Sequence, residues 1–175
     1  MQAQTTVNEQ VPHRDLFIKM VVDHWNTVNG RFNRLVDSFT DEQMMSQVAP
    51  GRNRGIYLLG HLVAVHDAML PILGLGELIH PELADIFHHK PDDPATGMPS
   101  ISELKQYRDE INAALSNGMA QIEPSEWFSR HTAVSVDDFA KEPQRNKLNV
   151  IINRSNHLSY HLGQLAFLAK KQVNN

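Results

Sequence analysis

The stretch "GIYLLGHLVAVHDAMLPIL", residues 55–73, is apolar on nearly every side when wound as a helix. A helix with no polar face must be covered all round, so the rest of the chain has to supply a surrounding layer. A membrane span is the other environment such a helix could occupy. It fits poorly here, because the continuation to residue 79 carries His61, His66, Asp67, Pro71 and Glu77, and an acid at the centre of a spanning helix costs about 2.5–3.5 kcal/mol. The central helix of a bundle is the better reading.

Three further segments have the periodicity to cover it, and no stretch reads as a strand. Residues 12–39 carry Phe17, Met20, Val21, Val28, Phe32, Leu35, Val36 and Phe39 at three- and four-residue steps, with His24 on the same stripe. Pro12 suits the first turn. Residues 101–122 present Leu104, Tyr107, Ile111, Leu115 and Ile122, opened by a Ser100/Glu103 capping box and stopped by Pro124. Residues 147–171 present Leu148, Ile151, Ile152, Leu158, Leu162, Leu165 and Leu168. A further capping box, Thr40 with Gln43, marks a short helix or turn after the first long one.

The connection 74–100 is dense in Gly, Pro and Asp, with one helical turn expected at "PELADIF". In the connection 123–146, Trp127 and Phe128 are expected to fold back onto the core. The expected fold is therefore all-α: a four-helix bundle with long connections between helices 2 and 3 and between helices 3 and 4. Residues 1–10 read as a loose tail and residues 11–175 as one domain.

Composition closes off several functions. An apolar share of 41 % with 21 % charged residues is that of a globular chain. The net charge is −4, and the sixteen Lys and Arg are scattered in runs no longer than two, which argues against nucleic acid as a partner. There is no cysteine, so disulfides, thiolate ligands and a cysteine nucleophile are excluded. That fits a reducing cytoplasm. The opening "MQAQTTVNEQ" lacks the basic start and apolar middle of an export signal. A cytoplasmic protein with neither a nucleic-acid nor a membrane partner is expected.

The chemistry is concentrated in "NRSNHLSYHLGQLAFLAK", where His157 and His161 stand four residues apart. On a helix such residues lie about 40° apart around the axis and about 6 Å along it, so their rings can converge on one point. With ten histidines in the chain, about half a pair at this spacing arises by chance, and the spacing alone decides little. The pair lies at the edge of an apolar stripe, however, where each unpartnered buried polar group costs about 1–3 kcal/mol. One metal ion would satisfy both.

His61, in the most apolar helix, is the candidate third ligand, since bundles build sites from side chains on facing helices. The bland alternative is a buried histidine bonded to a carbonyl or a water. Gln164 shares the face of the pair and would either orient a ligand or substrate or pack at a helix interface. His24 is a second candidate to reach the cavity, and the one candidate for a general base. His66 is turned about 140° from His61 and is not expected to bind the same ion. His80, His88 and His89 are expected to be solvated. Glu77 and His80 imitate half of a di-iron motif, without a second copy. No His-Glu-x-x-His, phosphate-binding glycine loop or nucleophile elbow is present.

One histidine in helix two ("GHLVAVHDAML") and "HLSYHLGQLAFL" in helix four resemble the DinB/YfiT-like superfamily. The order of elements is similar across nearly the whole chain: a long first helix, a short "DEQ" segment, a Gly-containing entry into helix two and a long insertion before helix three. The resemblance implies that His61, His157 and His161 are three ligands of a divalent metal ion, with solvent or substrate completing the shell. It implies a small-molecule enzyme, either an S-transferase using a low-molecular-weight thiol or a hydrolase, in a family whose members often form homodimers. Many members have no assigned reaction.

Three neutral imidazoles leave a divalent ion its full charge and at least one open position. Such an ion lowers the pKa of a coordinated water to about 7 or holds a thiol as thiolate, and Zn, Ni or Fe would serve. With no cysteine in the chain, a thiol would arrive as a co-substrate. The competing reading is a non-catalytic bundle with a structural metal site or an interaction role, where a fourth protein ligand would tend to close the shell.

Overall fold

The computed structural model describes residues 12–169. The expected tail, residues 1–10, and the predicted end of the last helix at 170–171 lie outside them. Eight α-helices follow one another: α1 (His13–Asp37), α2 (Asp41–Met45), α3 (Gly55–Asp67), α4 (Met69–Leu73), α5 (Leu83–Phe87), α6 (Ile101–Met119), α7 (Val136–Lys141) and α8 (Lys147–Leu165). Among the described residues there is no strand, only the isolated bridges Gln47–Arg54 and Arg130–Asn146.

Local signals start these helices where the residues predict. The Thr40 hydroxyl accepts from the Gln43 amide at 3.2 Å while the Gln43 side chain accepts from the Thr40 amide at 2.9 Å. Ser100 and Glu103 close the same reciprocal box ahead of α6. Asn146 caps α8 by accepting from the Asn149 amide at 3.0 Å. The apolar segment 55–73 is divided at Ala68 into α3 and α4, because Pro71 has no N–H to offer the carbonyl one turn back. Gly74, at φ +74°, then ends α4 in a left-handed cap. α6 ends at Met119, short of the predicted 122, although Ile122 stays buried.

The long helices α1, α6 and α8 surround α3–α4, so the fold is the expected all-α bundle. By length and composition 55–73 would cross a membrane, but 78 % of its apolar window is buried within the protein. Leu59 and Leu62 of α3 meet Trp25 and Phe32 of α1, Leu104 and Ile111 of α6, and Ile151 and Leu158 of α8 in one core. Every residue of α3 is buried except His61.

The expected face of α1 is corrected. Its buried residues are Ile18, Trp25, Val28, Phe32 and Val36. At 100° per residue, that stripe is turned by about 50° from the predicted one. Phe17 and Met20 are left 48 % and 60 % exposed, and His24 is exposed beside them. Trp127 folds onto the core as expected, whereas its neighbour Phe128 stays outside.

Two carboxylates fasten the long connection 74–100 to the central helix. Asp67 is 1 % exposed and accepts from the amides of Ile79 and His80 at 2.9 and 2.8 Å. Asp92 accepts from the Arg54 amide at 2.7 Å and from its guanidinium at 2.6 Å. Between these anchors, α5 lies against α3.

Candidate metal centre

The site is built from the contact of α5 with α3. Gly60 makes that contact close: a Cβ there would stand 2.2 Å from Cζ of the fully buried Phe87. The approach brings the Phe87 carbonyl to 3.0 Å from His61 Nδ1. A carbonyl only accepts, so Nδ1 carries the proton and His61 Nε2 keeps its lone pair. Tyr57, one turn earlier, lies parallel to the His61 ring, 7° between planes, and donates its hydroxyl to the Lys90 carbonyl at 2.7 Å.

A similar arrangement holds on α8. His161 Nδ1 lies 2.6 Å from Oε1 of Gln164, whose amide nitrogen donates to the Tyr160 hydroxyl at 3.2 Å. His161 Nδ1 is therefore the donor, and its Nε2 also presents a lone pair. His157 lies between the two, its Nε2 at 3.0 Å from His161 Nε2 and 3.3 Å from His61 Nε2. The ligand-capable nitrogens of the three lie within 4.8 Å of one another. His157 Nδ1 is buried with no partner among the described residues.

Burial disfavours the charged form of the two histidines on α8. Burial, helped by His161, His61, Arg154 and His88, pushes His157 down to about 4. Burial also lowers His161, against the Gln164 hydrogen bond that raises it. Among the described residues no carboxylate joins the group.

These residues fit a divalent cation. Three nitrogens at the usual zinc distance and tetrahedral angles are separated by about 3.3 Å, close to the two spacings observed. Without a cation the cluster cannot satisfy itself. A proton on His157 Nε2 can be given to only one of the two facing lone pairs, and a proton on its Nδ1 leaves three lone pairs facing one another. Ligand histidines are usually oriented by acceptors behind their rings, and the Phe87 carbonyl and Gln164 stand in that position behind His61 and His161.

Other candidates fall elsewhere. His24 lines a groove of about 360 Å³ between α1 and α8, with Phe17, Met20 and Ser155. The rotation of α1 carries it to the outside, and it is not one of the three clustered histidines. His66 is fully buried against Trp25, ring centroids 4.9 Å apart, and is not one of the three clustered histidines. His80 departs from expectation: it is half-buried, stacked on Tyr107 at 3.8 Å and hydrogen-bonded to Glu110. His88 and His89 are exposed.

Three features beside the site were not found in the sequence. The Phe87 carbonyl carries no side-chain signal, and His88, whose ring stands edge-on to His61 at 5.7 Å, is brought there by the docking of α5. Arg154 could have been found, because it precedes His157 by three residues and His161 by seven and so shares their face.

The family model described as the DinB superfamily matches residues 24–165, more than four fifths of the chain. The comparison with curated proteins gives no match. The matched span contains all three clustered histidines and all four long helices except the first turns of α1. With the bundle, the converging imidazoles and this match in agreement, the chain belongs to the DinB superfamily.

Proposed function

We propose that the protein binds one divalent metal ion, Zn, Ni or Fe, through His61, His157 and His161, and acts as a metal-dependent transferase or hydrolase on a small molecule. The observation that carries this reading is the convergence of three Nε2 atoms, two of them with the opposite nitrogen fastened to an oxygen acceptor. An ion held there would supply Lewis acidity, toward a thiol co-substrate in the transferase version and toward water in the hydrolase version. The protein's own part is to hold His61 and His161 in the tautomer that presents Nε2, and to keep His157 uncharged by burial. A cytoplasmic setting, where low-molecular-weight thiols are kept reduced, suits the transferase version.

A purely structural site would expect a fourth protein ligand, and among the described residues the group contains three. That favours an open position over a closed shell. The test is the metal content of the purified protein beside His61→Ala and His157→Ala, with circular dichroism to monitor folding. Loss of metal from both folded variants is expected. Metal retained at wild-type stoichiometry in both would overturn the assignment. A screen of low-molecular-weight thiols with electrophiles, beside one of esters and amides, then separates transferase from hydrolase.

A further inference from the structure

Four arginines are at least partly covered: Arg54, Arg108, Arg145 and Arg154. Three of them face carboxylates. Arg54 pairs with Asp92 at 2.6 Å, Arg108 with Asp37 and Asp109 at 2.8 Å each, and Arg145 with Glu142 at 3.2 Å. Arg154 on α8 has no ion pair or side-chain hydrogen bond among the described residues, and burial alone acts on its guanidinium, lowering its pKa. By contrast, the pKa of Arg54 is raised, chiefly by its hydrogen bond to Asp92. Partial covering takes some of its water away and no counter-charge among the described residues replaces it, which leaves the guanidinium free to take an anion.

The position of Arg154 suggests where that anion comes from. His61, Ala64, Ala68 and Ile72 form one stripe along α3 and α4 at steps of three and four. His161, His157, Arg154 and Val150 form a stripe along α8 in the opposite sense. The two stripes meet at the three histidines. At their other end Ile72, Val150 and Arg154 line a cavity of about 260 Å³. A second, largely apolar cavity of about 270 Å³ runs past Ala64, Ala68 and Ile72 to His88, whose ring adjoins His61. Ile72 borders both. Arg154 precedes His157 by three residues, about 4.5 Å of helix rise, and its charge lowers the pKa of His157 and His88, by less than desolvation and the neighbouring histidines do. His131, in the same cavity as Arg154, has a buried Nδ1 with no partner among the described residues.

We infer that Arg154 recognises a carboxylate on the substrate, so that the three-histidine centre acts on small organic acids whose apolar body lies along Ala64, Ala68 and Ile72. The planar guanidinium matches a carboxylate with two parallel hydrogen bonds. Among the described residues Arg154 is the one arginine or lysine lining its cavity, whereas phosphate sites characteristically gather several donors. The reaction rests on the metal-centre reading; the binding of the acid does not.

The experiment titrates 3-phenylpropanoate, 3-phenylpropanol and phenyl phosphate into metal-free and zinc-loaded protein, following Kd and the side-chain Nε–H resonance of Arg154. The carboxylate is expected to bind about ten- to a hundredfold more tightly than the alcohol in both forms and to move the Arg154 resonance. Arg154→Gln is expected to abolish that preference with zinc stoichiometry unchanged, and Arg154→Lys to keep part of it. Equal binding of alcohol and acid, preference for the phosphate, or an unmoved Arg154 resonance on saturation would each overturn the inference. Carboxylate binding that needs zinc and survives Arg154→Gln places the acid on the metal, which overturns the inference and leaves the centre standing. Absence of zinc binding in the wild type removes the centre, and the metal-free arm still decides the role of Arg154.

Discussion

Gly60→Ala tests whether the contact of α5 with α3 maintains the proposed metal centre. The added methyl would meet Phe87 at 2.2 Å from Cζ, 2.3 Å from Cε1 and 2.6 Å from Cε2. Ordinary carbon–carbon contact begins near 3.5 Å, so the ring must retreat by about 1.3 Å. Flipping the ring does not relieve the clash, because Cζ lies on the flip axis. The side chain is fully buried, so the displacement has to be shared with the backbone of α5, including the carbonyl 3.0 Å from His61 Nδ1. Overpacking of this kind costs about 1–3 kcal/mol, and loss of the partner behind a ligand histidine weakens metal binding about 10–100-fold. Gly163, two residues beyond His161, is the control. An added Cβ meets nothing within 4 Å there, and replacing a helix-interior glycine by alanine is worth about 0.5–1 kcal/mol of stability. Thermal denaturation of the metal-free proteins and calorimetric zinc titration measure both effects. Wild-type zinc affinity and stability in Gly60→Ala would refute the reasoning, as would equal losses in the two variants.

Gln164→Leu removes the acceptor behind His161 and is expected to weaken zinc binding about tenfold or more, with Gln164→Glu restoring it. Unchanged affinity in the leucine variant would show that Gln164 only packs. The pH dependence follows from His157 at about 4 and His66 at about 3, both lowered chiefly by burial. Below the ordinary imidazole value of about 6.5 the unfolded chain takes up protons that the folded protein refuses, so stability is complete above that pH and falls as the pH drops toward 4. The fully buried His66 alone contributes a slope of about 1.4 kcal/mol per pH unit well below 6.5. Urea denaturation at stepped pH reads the slope, and a flat stability between pH 7 and 5 would contradict the burial of these two rings. Zinc should be released over the same acid range as protons compete for the ligand nitrogens.

The amino-acid sequence by itself determined the long helices, the capping boxes and the pairing of His157 with His161, because all of these are local, whereas the short helix α7 in the connection 123–146 was not read from it. The capping boxes at Thr40 and Ser100 act within three residues, and one turn of α8 sets the spacing of its two histidines whatever surrounds it. The motif resemblance also pointed to His61, although nothing in the chain near residue 61 shows what its ring faces. The tertiary structure decided the rotation of each helix about its own axis. α1 carries apolar residues on more than one face, so its periodicity was compatible with either of two orientations. Packing chose the one that buries Ile18 and Trp25 and turns Phe17, Met20 and His24 outward. The Phe87 carbonyl behind His61, the approach of His88 and the lack of a counter-charge for Arg154 among the described residues come from contacts between segments distant in the chain, whose geometry only the packed core defines.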